Sequence, residues 1–239
     1  MFAGPNGSGK SELKAHLPEA LLGLYLNPDE IEAETKSQGY TDFLKFDIIT
    51  SAEEILHSFE CSELLRQRGL DEILRTLRFK DGKLYISADA MDSYVASVLV
   101  GFMRGKLLEA RQTFTFETVM SHPSKVQVLR MAQELGYRTY LYYVATDDSA
   151  INVSRVANRV ALGGHSVPVD KIVMRYQKSL ALLLSAIRYS SRAYIFDNST
   201  NNAAGTHTWL AEITDGKTLR LMSDQIPAWF QHSVMDKIA

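Results

Sequence analysis

The sequence predicts an α/β protein built on a mainly parallel sheet with flanking helices. Short apolar or β-branched runs alternate along the chain with longer segments of helical periodicity. That alternation is typical of parallel strands joined by right-handed helical crossovers. The run 139–144 is apolar almost throughout, as expected of a strand that is covered on both faces. A glycine-rich segment opens the chain and leads directly into a predicted helix.

The local patterns place most elements along the chain. Strands are predicted at 24–26, 113–117, 139–144 and 193–196. Helices are predicted near Asp29 and over 11–18, 52–67, 71–78, 91–112, 123–135, 150–162 and 168–189. The one cysteine, Cys61, falls within such a helix and is interpreted as a small core residue.

Two segments depart from the alternating pattern. Residues from about 41 to 89 predict a mostly helical inserted subdomain with a turn at Asp81-Gly82. Asp215-Gly216 lies between two strand-like runs and predicts a C-terminal β-hairpin. A last helix is expected over 227–238. We interpret 1–239 as one domain with this insertion and, over about 207–238, the hairpin plus helix.

Charge and composition exclude several classes of partner. Lys and Arg number 26 against 28 Asp and Glu, and a net charge of -2 gives no electrostatic footprint for nucleic acid or for an anionic membrane. No apolar run is long enough to span a bilayer, and none resembles a signal peptide. A single cysteine cannot form an internal disulfide. We therefore expect a cytoplasmic protein.

The segment 4–11 reads GPNGSGKS and matches the phosphate-loop pattern G-x-x-x-x-G-K-S at every fixed position. Glycines let backbone N–H groups turn toward a phosphate, and the following helix directs its positive end there. The fold class becomes a P-loop, nucleotide-kinase-like α/β protein that binds ATP and Mg²⁺. The nucleotide-binding residues are predicted to be Gly4, Pro5, Asn6, Gly7, Ser8, Gly9, Lys10 and Ser11.

Within this loop, Lys10 is expected to face solvent and to reach the β- and γ-phosphates, and the Ser11 hydroxyl to bind the metal. Only three residues precede Gly4. The strand before the loop is therefore either a stub or begins further upstream.

Acidic residues follow two of the predicted strands, where open α/β sheets gather their active sites. Asp29 comes shortly after the strand at 24–26 and could accept the proton of a substrate hydroxyl. Its spacing to Glu32 is equally that of a helix-capping pair. Glu117 closes the next strand, where it could orient a substrate hydroxyl or simply end the strand with a polar residue.

Arginines cluster on two predicted helices joined by the glycine-containing loop 163–168. Arg155 and Arg159 are four residues apart and share a helix face, and Arg175 lies on the next helix. A closing lid with arginines would bring positive charge to the transferred phosphoryl group. The alternative is an ordinary solvated face. His165, within the loop, has the weakest individual case.

These segments together resemble the zeta toxin family of bacterial kinases. The resemblance rests on the phosphate loop and on the sequences NPDE at 27–30, FETVMS at 116–121, Arg155 to Pro168 and Arg175-Tyr176. It implies ATP-dependent phosphorylation of a UDP-activated amino sugar, typically a sugar hydroxyl of UDP-N-acetylglucosamine. It also implies a small antitoxin protein as partner.

By the same resemblance, Lys10, Asp29, Arg159 and Arg175 are catalytic, with Asp29 as the base and Arg159 as a γ-phosphate clamp. The substrate-binding residues implied are Asp29, Glu117, Thr118, Arg155 and His165. The family's founding toxins have a second clamp arginine in a longer lid. That role is open here between His165, Arg155 and Arg175.

Two alternatives to a zeta-type kinase stay open. One is a nucleotide or antibiotic kinase, and the other is a non-toxic P-loop ATPase with a regulatory role. The chain has neither the Leu-Ser-Gly-Gly-Gln signature of ABC ATPases nor an Asn-Lys-x-Asp guanine motif. Carboxylates at both strand ends would repel an acceptor phosphate but can deprotonate a hydroxyl. The acidic strand ends therefore favour an alcohol acceptor.

Overall fold

The structure, a computed structural model, describes residues 1–67, 69–164, 166–200 and 207–238. The chain divides into two compact units, each described by itself below. Unit 1 is Met1–Leu21 with Glu117–Ala239, and unit 2 is Leu22–Phe116. No helix in the described residues is both long enough and apolar enough to cross a membrane.

The strands are β1 Phe2–Ala3, β2 Leu24–Leu26, β3 Tyr40–Asp42, β4 Arg78–Lys80, β5 Lys83–Tyr85, β6 Phe114–Thr118, β7 Tyr140–Ala145, β8 Arg192–Asp197, β9 Thr208–Thr214 and β10 Thr218–Leu221. The helices are α1 Lys10–Ala15, α2 Pro28–Gln38, α3 Ala52–Glu60, α4 Glu63–Arg66, α5 Leu70–Thr76, α6 Ser93–Glu109, α7 Pro123–Glu134, α8 Ser149–Ala161, α9 Val169–Arg188, α10 Ala228–Phe230 and α11 Asp236–Ile238. The elements predicted from the local patterns are thus confirmed, although 52–67 divides into α3 and α4.

In unit 1 the short strand β1 lies between parallel neighbours. It pairs with β7 on one side and with the last two residues of β6 on the other. β8 continues the parallel sheet beyond β7, and β9 and β10 extend it as antiparallel strands. The predicted mainly parallel sheet is confirmed. The carboxyl ends of β1, β6, β7 and β8 share one edge, where the segment 4–11 follows β1.

One face of this sheet packs against helices α7 and α9 and the C-terminal segment. Tyr143 of β7 is fully buried, its hydroxyl lies 3.0 Å from Ser179 Oγ of α9, and its ring contacts Trp229 of α10. The Trp229 ring Nε1 donates to the Asp197 carboxylate at the end of β8, at 2.7 Å. These contacts fix the carboxyl ends of β7 and β8.

The C-terminal hairpin is confirmed. β9 and β10 pair antiparallel across a turn in which Asp215 and Gly216 both have positive φ, 52° and 62°. Gly216 is required there for a second reason, because a Cβ would lie 2.7 Å from Arg188 Cα. The final helix is also present, with a π-helical stretch at Gln231–Met235 between α10 and α11.

In unit 2, β2 pairs in parallel with the first three residues of β6, with Leu26 opposite Phe116. Helix α6 packs against α2 and supplies much of the core, including Leu99 and Met103, both fully buried. Helices α3 and α4 pack on the same helix.

The segment predicted as a mostly helical insertion is a mixture of helices and sheet. Strands β3, β4 and β5 form a small antiparallel sheet, with Asp81 and Gly82 in the predicted turn at φ 52° and 73°. The segment also shares a core with α6. The prediction for Cys61 was wrong: α3 ends at Glu60, and the exposed thiol lies 3.7 Å from His57 Nε2.

Candidate phosphate-binding site

The segment 4–11 forms a loop between β1 and α1 in unit 1. Gly4, Gly7 and Gly9 have positive φ values of 143°, 72° and 94°, a region that favours glycine. Gly4 also lies directly against the Val144 carbonyl of β7, where a Cβ would overlap that oxygen. Gly9 is the N-cap of α1 and has no capping side chain. The helix therefore begins with backbone N–H groups next to the loop.

Three side chains from distant parts of unit 1 bind the loop's carbonyl groups. Asn152 Nδ2 of α8 donates to the Asn6 carbonyl at 2.6 Å, and Asn198 Nδ2 donates to the Ser8 carbonyl at 2.9 Å. The ring Nε2 of His207 lies 3.0 Å from the Gly9 carbonyl, which it binds as an N–H donor. The C=O and N–H of a trans peptide unit point in opposite directions. Holding these carbonyls outward therefore turns the following N–H groups toward the inside of the loop, as anion binding requires.

These supporting side chains are themselves fixed. The Thr146 hydroxyl donates to Asn152 Oδ1, and the Tyr176 hydroxyl of α9 donates to the Thr146 carbonyl at 2.7 Å. Burial, with a smaller contribution from neighbouring aspartates, raises the pKa of Tyr176 to about 12. The phenol therefore keeps its donor proton at neutral pH. Asn152 is fully buried.

Asn198 follows β8 directly and is held from two sides. Its backbone N–H donates to the Ala145 carbonyl at the end of β7, at 2.8 Å. Arg155 Nη1 of α8 donates to the Asn198 carbonyl at 2.8 Å, and its Nη2 lies 3.4 Å from the Thr200 carbonyl. Arg155, predicted to bind substrate, is thus half-buried and supports the residue that holds the loop.

The expectation that Lys10 faces solvent was wrong. Lys10 is the first residue of α1 and is only 7% exposed. Its Nζ donates to the Gly4 and Pro5 carbonyls, each at 3.0 Å, and lies 3.9 Å from Glu117 Oε1. A buried ammonium group needs acceptors, and the carbonyls at the start of the loop supply them. The cation is therefore positioned at the loop before any ligand binds.

Glu117, at the end of β6, lies beside both loop residues predicted to act on phosphate and metal. The Ser11 hydroxyl donates to Glu117 Oε2 at 3.3 Å. Thr118, the residue after Glu117, accepts a hydrogen bond from the Met120 N–H at 3.0 Å. The predicted roles of Glu117 and Thr118 in substrate binding stay predictions.

The magnesium predicted at Ser11 has a chemically suitable partner here. Within the described part of the chain, no three His, Cys, Asp or Glu side chains come together as a metal site. Mg²⁺ does not require such a group, because it is commonly held by one or two protein oxygens together with phosphate oxygens and water. The Ser11 hydroxyl and the Glu117 carboxylate are two such oxygen ligands, so the residues fit this ion.

In unit 2, Asp29 is the second residue of α2 and is exposed. The proposed capping pair of Asp29 with Glu32 was wrong. The N-cap is Asn27, whose Oδ1 accepts from the Asp29 N–H at 3.0 Å. Glu32 is buried and binds Lys36 Nζ at 2.5 Å. Pro28 explains why the cap is Asn27 and not Asp29, because proline favours the first helical position, directly after the cap. The Asp29 carboxylate is therefore not used as the cap.

The remaining arginines lie on the predicted helices. Arg159 is exposed in the last turn of α8, and Arg175 is half-buried on α9. Gly164 lies against the Arg159 side chain, because a Cβ there would be 2.7 Å from Arg159 Cγ. Their predicted catalytic roles stay predictions. His165, predicted to bind substrate, lies outside the described residues.

The sequence did not predict the three side chains that hold the loop, Asn152, Asn198 and His207. Single polar residues on a helix or after a strand have no distinctive pattern. One available signal was that Asn198 directly follows a parallel strand, at the edge where such sheets bind ligands.

Comparison with known proteins supports the fold. No protein-family model matches the chain. An uncharacterized protein from Haemophilus influenzae is 33% identical over 63 residues, which are 26% of this chain and 45% of that protein. A chain in the crystal structure of AvrRxo1-ORF1:-ORF2 with ATP aligns with 99% of this chain at a TM-score of 0.54 and 13% identity. The chain spans 62% of that solved chain. The structure of the same two proteins with sulphate ions gives a TM-score of 0.49.

The fold and the loop together define a P-loop, kinase-like α/β protein. The likeness to the AvrRxo1 structure, at 13% identity, bears on the fold alone.

Proposed function

We propose that the chain is an ATP-dependent phosphotransferase of the zeta toxin type. The observation that carries the proposal is the loop at 4–11, whose carbonyls are held outward by Asn152, Asn198 and His207 while Lys10 is buried against it. Such a loop suits a polyphosphate, because backbone N–H groups and one cation converge on the same place. The solved neighbour of similar fold was crystallised with ATP.

Magnesium is proposed to bind at Ser11 and Glu117. The bound ion would neutralise charge on the β- and γ-phosphates. Glu117 would then orient the ion or its water from the end of β6, and Lys10 would carry the second positive charge to the phosphates.

The proposed acceptor is a sugar hydroxyl of UDP-N-acetylglucosamine or of a related UDP-sugar. Asp29 takes the hydroxyl proton as the oxygen forms its bond to the γ-phosphorus and the bond to the β,γ-bridging oxygen breaks, releasing ADP. Thr118 would help to hold the acceptor, and Arg159 and Arg175 would stabilise the charge of the transferred group. Support for Asp29 comes from its exposed position after β2 and from the cap being Asn27.

The proposed partner is a small antitoxin protein, and the chain is then the toxin of the pair. This proposal rests on the resemblance to zeta toxins. The solved neighbour is a complex of two proteins, AvrRxo1-ORF1 and AvrRxo1-ORF2, which is consistent with such an arrangement.

One assay tests the reaction and its acceptor. The protein is incubated with ATP, Mg²⁺ and a panel of UDP-sugars, nucleoside monophosphates and aminoglycosides, and mass spectrometry detects the gain of one phosphate. We expect a UDP-N-acetyl sugar to gain phosphate fastest, and Lys10→Met protein to give none. Faster phosphorylation of AMP, UMP or an antibiotic would reject the acceptor class, and ATP hydrolysis without any phosphorylated product would reject the kinase.

A further inference from the structure

Arg104 of helix α6 is a buried cation that the proposed mechanism does not use. The residue is only 6% exposed. Its Nε is buried and has no hydrogen-bond partner among the described residues. The contact made by its guanidinium is with an aromatic ring, since its Cζ lies 4.8 Å from the centre of the Phe116 ring.

That contact is too weak to explain why the charge is buried. Removing a guanidinium from water costs more than a cation–π contact returns, and the missing hydrogen bond of Nε adds to the cost. Burial lowers the pKa of Arg104 to about 10, so the group is still charged at neutral pH. Buried charges in proteins are normally paired or bind a ligand. The buried guanidinium of Arg104 is therefore suited to bind an anionic ligand.

Open space lies beside the guanidinium. Gly101 is one turn earlier on α6 and is partly exposed. Apart from the two adjacent residues and the backbone of α6 itself, a Cβ at Gly101 would meet, among the described residues, only Arg104 Nη2 within 4 Å, at 3.7 Å. Glycine inside a helix is unfavourable relative to alanine. Its presence here leaves the approach to Nη2 unobstructed.

The space beside Arg104 lies at the same end of the β2–β6 pair as Asp29, the proposed base for the acceptor hydroxyl. Phe116, below the guanidinium, pairs with Leu26 at the carboxyl end of β2. Asp29 follows Leu26 by three residues at the start of α2, which packs against α6. Arg104 and Asp29 thus belong to the same end of the β2–β6 pair, within unit 2.

We propose that Arg104 binds a phosphate oxyanion of the acceptor substrate through its guanidinium, beside Gly101. The chemical class of the acceptor is then a phosphorylated alcohol, such as a nucleoside-diphosphate sugar, and not a neutral sugar. Assigning the anion to the acceptor rests on the proposed function, but anion binding by Arg104 does not. A planar guanidinium suits phosphate because two N–H groups can bind two oxygens of one group.

The first experiment measures anion binding without catalysis. Inorganic pyrophosphate is titrated calorimetrically into the full chain, saturated with a non-hydrolysable ATP analogue and excess Mg²⁺ so that the loop is occupied. We expect Arg104→Met to weaken pyrophosphate binding by at least about tenfold, as for a lost charged hydrogen bond, without lowering the melting temperature. The control Arg75→Met removes the same charge from an exposed site in unit 2 and should leave binding unchanged.

A purely structural arginine gives the opposite pattern. In that case Arg104→Met lowers the melting temperature and binds pyrophosphate as the wild type does. Alternatively, the wild-type protein saturated with the ATP analogue binds no pyrophosphate at all. Either result overturns the proposal. If Arg104→Met fails to fold, Gly101→Ala decides, because it places a methyl group beside Nη2 while favouring the helix. It should weaken binding several-fold at an equal or higher melting temperature, and unchanged binding overturns the proposal.

Kinetics separates this inference from the proposed function. With the acceptor that the mass-spectrometric assay identifies, Arg104→Met should raise the KM for the acceptor by at least about tenfold and leave the KM for ATP unchanged. If ATP is the source of the bound anion instead, the KM for ATP rises and that for the acceptor does not, which overturns the assignment to the acceptor. If no acceptor is phosphorylated but pyrophosphate binding depends on Arg104, the proposed function fails and the anion site stands.

Discussion

Two buried cations, Lys10 and Arg104, have opposite surroundings. The Lys10 ammonium group binds the Gly4 and Pro5 carbonyls and has Glu117 nearby. The Nε of Arg104 has no such acceptor among the described residues. Because a buried charge is costly unless it is paired, Lys10 is stabilised even before ATP binds, whereas Arg104 depends on the anion that we propose for it. Replacing Lys10 should therefore lower the stability of the protein, whereas replacing Arg104 should not.

Lys10→Met should lower both turnover and stability. We expect turnover to fall by at least about a hundredfold, because the charge on the phosphates is lost. The free energy of unfolding should fall by about 1–3 kcal/mol, because two carbonyls lose their donor. Enzyme assays and chemical denaturation measure the two effects. Lys14→Met on the same helix is the control, and a Lys10→Met protein that retains wild-type turnover would exclude the loop as the catalytic phosphate site.

Asp29→Asn should lower turnover without a matching loss of stability. Asn27 is the helix cap, so only a weak interaction of Asp29 with the helix dipole is lost, worth about 0.3–1 kcal/mol. If Asp29 is the base, turnover should fall by about a hundredfold or more while ATP affinity is kept. Glu30→Gln, the neighbouring carboxylate in the same turn, is the matched control. Equal turnover in the Asp29 and Glu30 variants would remove Asp29 from the mechanism.

Among the elements, α8 and the carboxyl end of β8 determine the shape of the phosphate loop. Asn152 of α8 binds the Asn6 carbonyl, and Asn198 after β8 binds the Ser8 carbonyl. Arg155, also on α8, connects the two by binding the Asn198 carbonyl. The loop's conformation therefore depends on where a helix and a strand end lie, as well as on its own glycines.

Asn152→Ala should weaken ATP binding through the loop. Removing the donor leaves the Asn6 carbonyl without its side-chain partner, which costs about 1–3 kcal/mol, while the Thr146 hydroxyl can still bind the Asp148 carbonyl at 3.2 Å. We expect the Kd for ATP to rise by about tenfold or more, measured by calorimetry, because the substitution destabilises the loop conformation that binds ATP. Asn158→Ala, an exposed asparagine on the same helix, should bind ATP normally. Unchanged affinity in Asn152→Ala would mean that the loop keeps its shape unaided.

An ion pair joins α3 to α6 in unit 2 and predicts a pH dependence. The hydrogen bond from Lys106 lowers the pKa of Glu54 from 4.5 to about 2. A carboxylate whose folded-state pKa is depressed adds stability above the unfolded pKa and loses it as the pH falls through the folded pKa. The contribution of Glu54 is thus present above about pH 4.5 and lost between 4.5 and about 2.

Thermal unfolding from pH 7 to pH 2 checks this. Wild type should be more stable than Glu54→Gln at pH 7, and the difference should shrink below pH 4.5 and disappear near pH 2. Glu53→Gln, next to it and exposed, should not change the pH profile. A difference that persists undiminished to pH 2 would assign the effect to packing or to the capping box that Glu54 forms with Ser51.

At the scale of the whole molecule, the segment 41–87 is part of the core of unit 2. It contributes Phe43, Phe59, Leu65 and Leu84, all nearly or completely buried, and α3 and α4 pack on α6. Deleting it would expose the apolar face of α6. The prediction of an insertion within one domain is not tested by this arrangement, but simple removal is not expected to leave a folded unit.

Phe59→Ala measures this dependence. We expect the free energy of unfolding to fall by about 3–5 kcal/mol, because a fully buried aromatic ring is removed. Glu60→Ala, exposed and next in the chain, should have little effect. Deletion of 41–87 should give aggregated protein by size-exclusion chromatography. A monodisperse deletion protein with the wild-type melting temperature would show that the segment is not part of the core.

The sequence by itself determined the α/β class, the phosphate loop, most helices and strands, and the C-terminal hairpin. These features depend on spacing within a few residues: glycines at fixed positions, apolar periodicity and turn dipeptides. The helix cap at Asn27 and the exposure of Cys61 were missed because they depend on where a helix begins or ends, and sequence patterns locate helix ends poorly.

Tertiary structure alone decided how the loop is held and which charges are buried. The bonds from Asn152 and Asn198 to the loop join residues 146 and 190 positions apart. Such contacts follow from strand order, which places β7 and β8 beside the loop, and local periodicity does not encode that order. The burial of Lys10 and Arg104 likewise depends on what the folded chain places around them, because a lysine or arginine taken alone is expected at the surface.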